Sequence, residues 1–174
     1  AVEALCRRVE DGVVEPATYN SPGQVVVAGH IEAVRRCLEL ASEAGARRVQ
    51  LLNVSGPFHC SLLEPAGRRL AEALGRVVIT DPHVPVIANV DARPKTAAAE
   101  IKQALIEQVS KPVLWEQTVR GLIEDGVTLM VEVGEGRTLC GLARRIDREL
   151  ECMPCGDAAG VEQVATRVGR GESA

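Results

Sequence analysis

The chain has 174 residues, 46% hydrophobic and 25% charged, with a formal net charge of −4. This composition excludes a disordered chain, and with Tyr19, Phe58 and Trp115 as its only aromatics it excludes a stacking platform for single-stranded nucleic acid. The acidic balance argues against a phosphate-backbone groove or an anionic membrane surface, and no apolar run approaches the roughly 18 residues of a membrane span.

A cytoplasmic protein is therefore expected, with no nucleic acid or membrane partner and one core of Val, Leu, Ile and Ala suited to a sheet flanked by helices. Val2, Leu5, Cys6 and Val9 have helical spacing, but nothing caps the helix start, and the chain opens on Ala1 without an initiator Met. Strands are expected at Val13–Tyr19 and Gln24–Ala28, joined as a hairpin by Asn20-Ser21-Pro22-Gly23. His30 to Ala44 reads as a helix with Ile31, Val34, Cys37, Leu38 and Ala41 on one face and Gly45 as its stop. Arg48 to Val54 reads as a returning strand. Helix, strand, strand, helix, strand is the order of a ferredoxin-like β-α-β-β-α-β unit without its first strand.

Further on, Ser61-Leu62-Leu63-Glu64 has the pattern of a capping box opening a helix. Val77–Thr80 and Val84–Asn89 are short extended stretches limited by Pro82 and Pro85. Helices are expected at Ala97–Val109 and Trp115–Glu124 with Pro112 between them. Val127–Val133 is the strongest strand, Gly134-Glu135-Gly136 turns into a helix from Thr138 to about Leu150, and Val161–Val168 is a last short helix. Residues 169–174 read as a frayed tail.

Six cysteines (Cys6, Cys37, Cys60, Cys140, Cys152 and Cys155) in a chain with a fair core read as reduced thiols. Cys152 and Cys155 have redox or zinc spacing, but a structural zinc needs two more ligands, and His30, His59 and His83 are scattered singly, so no metal is expected. His59, after Gly56-Pro57 and before a helix, is the histidine best placed to carry chemistry. There is no G-x-S-x-G elbow for it to serve, and Cys60, adjacent in sequence, should point away from it. Gly134-x-Gly136 lacks the third glycine of a dinucleotide turn.

Five stretches together resemble the malonyl-CoA:acyl carrier protein transacylases and the related acyltransferase domains of fatty acid and polyketide synthases. They are YNSPGQVVVAGH (19–30), VSGPFHCSLLEPA (54–66), PVIANVDA (85–92), QVSKPVLW (108–115) and VEVGEGRTLCGLARRI (131–146), in family order. The resemblance implies an α/β-hydrolase-like large domain with an inserted ferredoxin-like small domain. Residues 1–54 would be the small subdomain lacking its first strand, and residues 55–168 the C-terminal part of the acyltransferase core.

It also implies a ping-pong reaction: a serine takes malonyl from CoA, and the phosphopantetheine thiol of an acyl carrier protein takes it from the serine, with no bound cofactor. His59 matches the family base and Gln108 the residue whose backbone carbonyl holds the imidazole. Asn20 matches an asparagine near the site, and Phe58 stands where relatives with malonyl preference have Phe. Glu135 replaces the proline of the family's GPG turn. The serine elbow and the arginine for the malonyl carboxylate match nothing in these residues, so a later portion of a chain nearer 300 residues is expected, inactive alone. The alternatives are one domain of a polyketide synthase, or a non-catalytic ferredoxin-like binding module.

Overall fold

Two apolar runs separated by a tight turn fold back on each other. In the computed structural model, which describes residues 1–169, β1 (Val14–Ser21) and β2 (Gln24–Gly29) pair antiparallel around Pro22 and Gly23. The register shifts at Ala17 and again at Asn20, each standing between paired neighbours without a partner of its own. Pro16 has no N–H to give the ladder, and strands tolerate proline beside such irregularities.

Helices α1 (Val2–Cys6) and α2 (Ile31–Glu43) pack on the hairpin. Their shared core is Cys6, Val14, Ala33, Val34 and Cys37, with Val2, Leu5, Val9, Val27 and Leu38 against it. The buried stripe of α2 is Ala33, Val34, Cys37 and Leu40, so Ile31, expected inward, is left 50% exposed. Gly45 ends this helix region at φ 84°, a left-handed turn that glycine takes without cost. Gly29 is needed for a different reason: a Cβ there would collide with the carbonyl oxygen of Val13.

The strand expected at Arg48–Val54 does not form. Apolar character alone does not make a strand, which needs a neighbour for its N–H and C=O groups, and among the described residues this segment has no ladder partner. Leu51, Leu52 and Val54 are exposed. The expected capping box is also absent. Ser61–Leu63 form a single 3-10 turn before α3 (Glu64–Gly75), which has Pro65 in its first turn and no side-chain cap. Val77–Thr80 form no strand, and Val84–Asn89 reduce to β3 (Val86–Ile87), paired antiparallel with β4 (Pro94–Lys95). Helix α4 (Ala98–Glu107) and helix α5 (Trp115–Glu124) flank the Pro112 loop as expected.

The chain divides into two compact units, residues 1–118 and from Val119 onward. In the second unit β5 (Leu129–Val133) pairs in parallel with β6 (Glu151–Cys155), joined by α6 (Thr138–Ile146), and α7 (Ala158–Gly169) follows. The helix expected to reach Leu150 stops at Ile146, where Asp147 turns extended (φ −144°, ψ 131°), and after a bend at residues 148–150 the chain enters β6, for which the sequence carried no strand signal. Glu132 caps α6, accepting from Leu139 N–H at 3.0 Å and Cys140 N–H at 2.8 Å. Cys140 and Cys152, Cα atoms 5.2 Å apart, form a disulfide, correcting the expectation of six reduced thiols. Parallel pairing brings β6 beside α6, a proximity that spacing along the chain does not reveal. Cys152 and Cys155 lie on one strand three residues apart, on opposite faces, so they do not act together. Of the tail expected at 169–174, Gly169 closes α7 and the rest lies outside the described residues. Among the described residues no helix is long and apolar enough to cross a membrane.

Candidate active site

His59 sits in the turn before the 3-10 segment with φ 59°, in the left-handed region that residues bearing a Cβ seldom occupy. Its ring lies 2.7 Å, through Nδ1, from the backbone carbonyl of Gln108 at the end of α4. A carbonyl oxygen only accepts, so Nδ1 carries the proton and Nε2 keeps its lone pair. An imidazole in this tautomer can take a proton at Nε2 while the carbonyl steadies the cation that results. His30 is held the other way: its Nδ1 accepts from Val13 N–H at 3.0 Å, which leaves the proton on Nε2. His83 is exposed in a loop.

Gln108 is itself fixed. Its Oε1 accepts from Asn89 Nδ2 at 2.9 Å, and the Asn89 carbonyl accepts from Leu114 N–H at 2.8 Å. The loop between α4 and α5 is tied to β1 as well, Val113 N–H donating to Ala17 O and Tyr19 N–H to Val113 O, both at 2.9 Å. These bonds fall beside the Ala17 irregularity, where β1 has turned its backbone groups away from β2.

On the other side of His59, Glu15 of β1 accepts from Ser61 N–H at 2.8 Å and from Ser61 Oγ at 2.9 Å. Burial alone would push the Glu15 carboxyl up, but the hydrogen bonds from Ser61 and from the Cys60 thiol outweigh it and hold the group below its ordinary value. Burial pushes the Cys60 thiol up, which removes it as a nucleophile.

Of the four residues expected at the site, His59 and Gln108 are in direct contact. Phe58 is beside His59 and 54% exposed. Asn20 stands at the second irregularity of β1, one residue beyond Tyr19 and its bond to Val113. The turn at Gly134 and Gly136 belongs to the second unit, where Glu132 occupies the first N–H groups of α6. Sequence reasoning missed Glu15, Asn89 and Val113. Asn89 and Val113 lie in stretches that carry the resemblance, whereas a lone Glu in a strand next to Pro16 gives no sign of its partner. Among the described residues no cluster of His, Cys, Asp or Glu could hold a metal ion.

The chain matches the acyl transferase domain family over residues 1–155. It is 42% identical over 165 residues to the malonyl CoA-acyl carrier protein transacylase of Haemophilus influenzae, covering 94% of this chain and 53% of that protein. An acyl-carrier-protein S-malonyltransferase structure from Bartonella henselae superposes with a TM-score of 0.93 at 38% identity, covering 97% of this chain and 54% of its own. A malonyl-transacylase solved with its holo type II PKS acyl-carrier protein gives a TM-score of 0.89 at 40% identity, covering 92% and 52%. The chain thus spans about half the length of the curated relatives it matches. With one family matched from Ala1 to Cys155, and structures of the same kind superposing on the mixed α/β fold that carries His59 and Gln108, the chain belongs to the acyl transferase domain family.

Proposed function

We propose that these residues form the base-bearing half of a malonyl-CoA:acyl carrier protein transacylase of fatty acid synthesis. The observation that carries this reading is the 2.7 Å bond from His59 Nδ1 to the Gln108 carbonyl, which leaves Nε2 free to accept a proton. His59 takes the proton of a serine hydroxyl as the oxygen attacks the malonyl thioester, then returns it to the CoA sulfur, which leaves as the thiol. The same nitrogen, again neutral, takes the proton of the phosphopantetheine thiol as that sulfur attacks the acyl-serine, and returns it to the serine oxygen as the ester bond breaks. The Gln108 carbonyl holds the tautomer as the aspartate of a triad would, without adding a charge. No bound cofactor takes part.

Residues 1–54 belong to a ferredoxin-like small subdomain and residues 55–168 to an α/β-hydrolase-like acyltransferase core. Phe58, exposed beside the base, forms the wall that receives the acyl group and disfavours the extra methyl of methylmalonyl, a discrimination worth about 1 to 3 kcal/mol. Asn20 lines the same site. The acyl carrier protein and malonyl-CoA are the partners, and the relative solved with a polyketide carrier extends the reading to carriers of that kind.

The test joins this chain to the part of the Haemophilus relative that it does not match and follows malonyl transfer from CoA to holo acyl carrier protein, with and without His59→Ala. Loss of a general base lowers the rate about 100-fold or more. A rate within a fewfold of the parent refutes the assignment.

A further inference from the structure

The left-handed φ of His59 is unfavourable for a residue with a Cβ and persists only where neighbouring structure imposes it. The preceding residues impose little, since Val54, Ser55 and Phe58 are exposed. The following residues are different. Cys60 is fully buried, and the Cys60 thiol, the Ser61 N–H and the Ser61 hydroxyl all converge on the carboxylate of Glu15. Three donors from two consecutive residues thus fasten the C-terminal side of His59 to β1. Two and four residues further along the same strand, Ala17 and Tyr19 hold Val113 and with it the loop that begins at Gln108. One strand therefore sets both the ring and its acceptor.

We propose that Glu15 is the positioning residue of His59: by clamping Cys60 and Ser61 to β1 it keeps the imidazole in register with the Gln108 carbonyl. The inference rests on the reading of His59 as the base, but what it asserts is a ring geometry that can be observed without catalysis. Without the carboxylate, Ser61 N–H and Oγ lose their acceptor in a half-buried turn. The backbone is then free to leave the left-handed region, and the ring leaves the carbonyl that fixes its proton on Nδ1.

The experiment is two-bond proton–nitrogen spectroscopy of the histidine rings in the nitrogen-labelled full chain, in mildly alkaline solution. His59 is assigned by the loss of its signals in His59→Gln, and His30, whose proton sits on Nε2, is the internal reference. The parent should hold the His59 proton on Nδ1. In Glu15→Ala the ratio of Nδ1–H to Nε2–H should fall about tenfold, the loss of roughly one hydrogen bond, with His30 unchanged. Should Glu15→Ala fail to fold, Glu15→Asp carries the same test, because it keeps the charge but is one methylene too short to reach Ser61.

A role confined to stability would lower the melting temperature and leave the tautomer alone. An unchanged ratio in whichever variant folds overturns the proposal. A transfer assay indifferent to His59→Ala would refute the base and leave the tautomer result standing, so the two failures are distinguishable.

Discussion

Breaking the Cys140–Cys152 bond, by a dithiol reductant or by Cys152→Ser, tests how the second unit holds together. The bond joins α6 to β6 across a sequence separation of 12 residues. Closing a loop of that size removes about 3 kcal/mol of entropy from the open chain. Among the described residues the sheet it secures has two strands, β5 and β6, an arrangement marginal without further support. A loss of about 3 kcal/mol corresponds to a change of about a hundredfold in the opening equilibrium. Two amides at the ends of that ladder report it directly: Glu151 N–H, bonded to Thr128 O at 3.1 Å, and Gly134 N–H, bonded to Cys155 O at 3.2 Å. Under native conditions hydrogen exchange at both should accelerate about a hundredfold on reduction, while Tyr19 and Val113 in the first unit keep their protection. Acceleration of less than about threefold would refute the reasoning, because packing of α6 on β6, with the Glu132 cap holding α6 to β5, would then suffice without the disulfide.

Two titrations follow from the same geometry. Tyr19 is the chain's only tyrosine, and burial together with the carboxylate of Glu3, 2.7 Å from its hydroxyl, pushes its phenol up to about 12. The stabilisation this represents is fully present below the ordinary value of 10 and is lost as pH rises towards 12, so phenolate absorbance should not appear near pH 10; an inflection there would show that the Glu3 contact does not form. Glu15 is held below its ordinary value of 4.5, so its contribution is present above that pH and is lost as pH falls through the lower folded value. The melting-temperature difference between the parent and Glu15→Gln should therefore shrink on going from neutral pH to well below 4.5, and a difference independent of pH would contradict the clamp.

Local signals were legible where they were self-sufficient. The hairpin around Pro22-Gly23, the stop at Gly45 and the break at Pro112 each rest on a few adjacent residues, and each lies where the sequence puts it. Features that depend on a distant partner were not legible. Val49, Leu51 and Val54 look like a strand, but pairing requires a neighbour that no local pattern supplies. The converse holds for β6, where Pro154 between cysteines gives no strand signal and the ladder with β5 makes one. Ser61 has the right spacing to cap α3, yet the Glu15 carboxylate offers it two bonds and wins. At the site, the pairing of His59 with Gln108 was visible only through resemblance, because the atom that matters at 108 belongs to the backbone. Glu15 was missed because nothing in Val14-Glu15-Pro16 points to a turn 46 residues away.

That the acceptor for the imidazole is a main-chain oxygen has a consequence for how this site can vary. Every amino acid at position 108 brings the same carbonyl, so drift in the side chain there leaves the base oriented, and an alanine scan would see only the lost contact to Asn89. What the site cannot tolerate is a change in chain length. One residue inserted or deleted between Gln108 and Val113 would shift the carbonyl away from the ring while β1 still gripped Val113. The constraint that the imidazole places on this turn is thus one of spacing more than of side-chain identity, since the chain length between Gln108 and Val113 sets where the carbonyl falls.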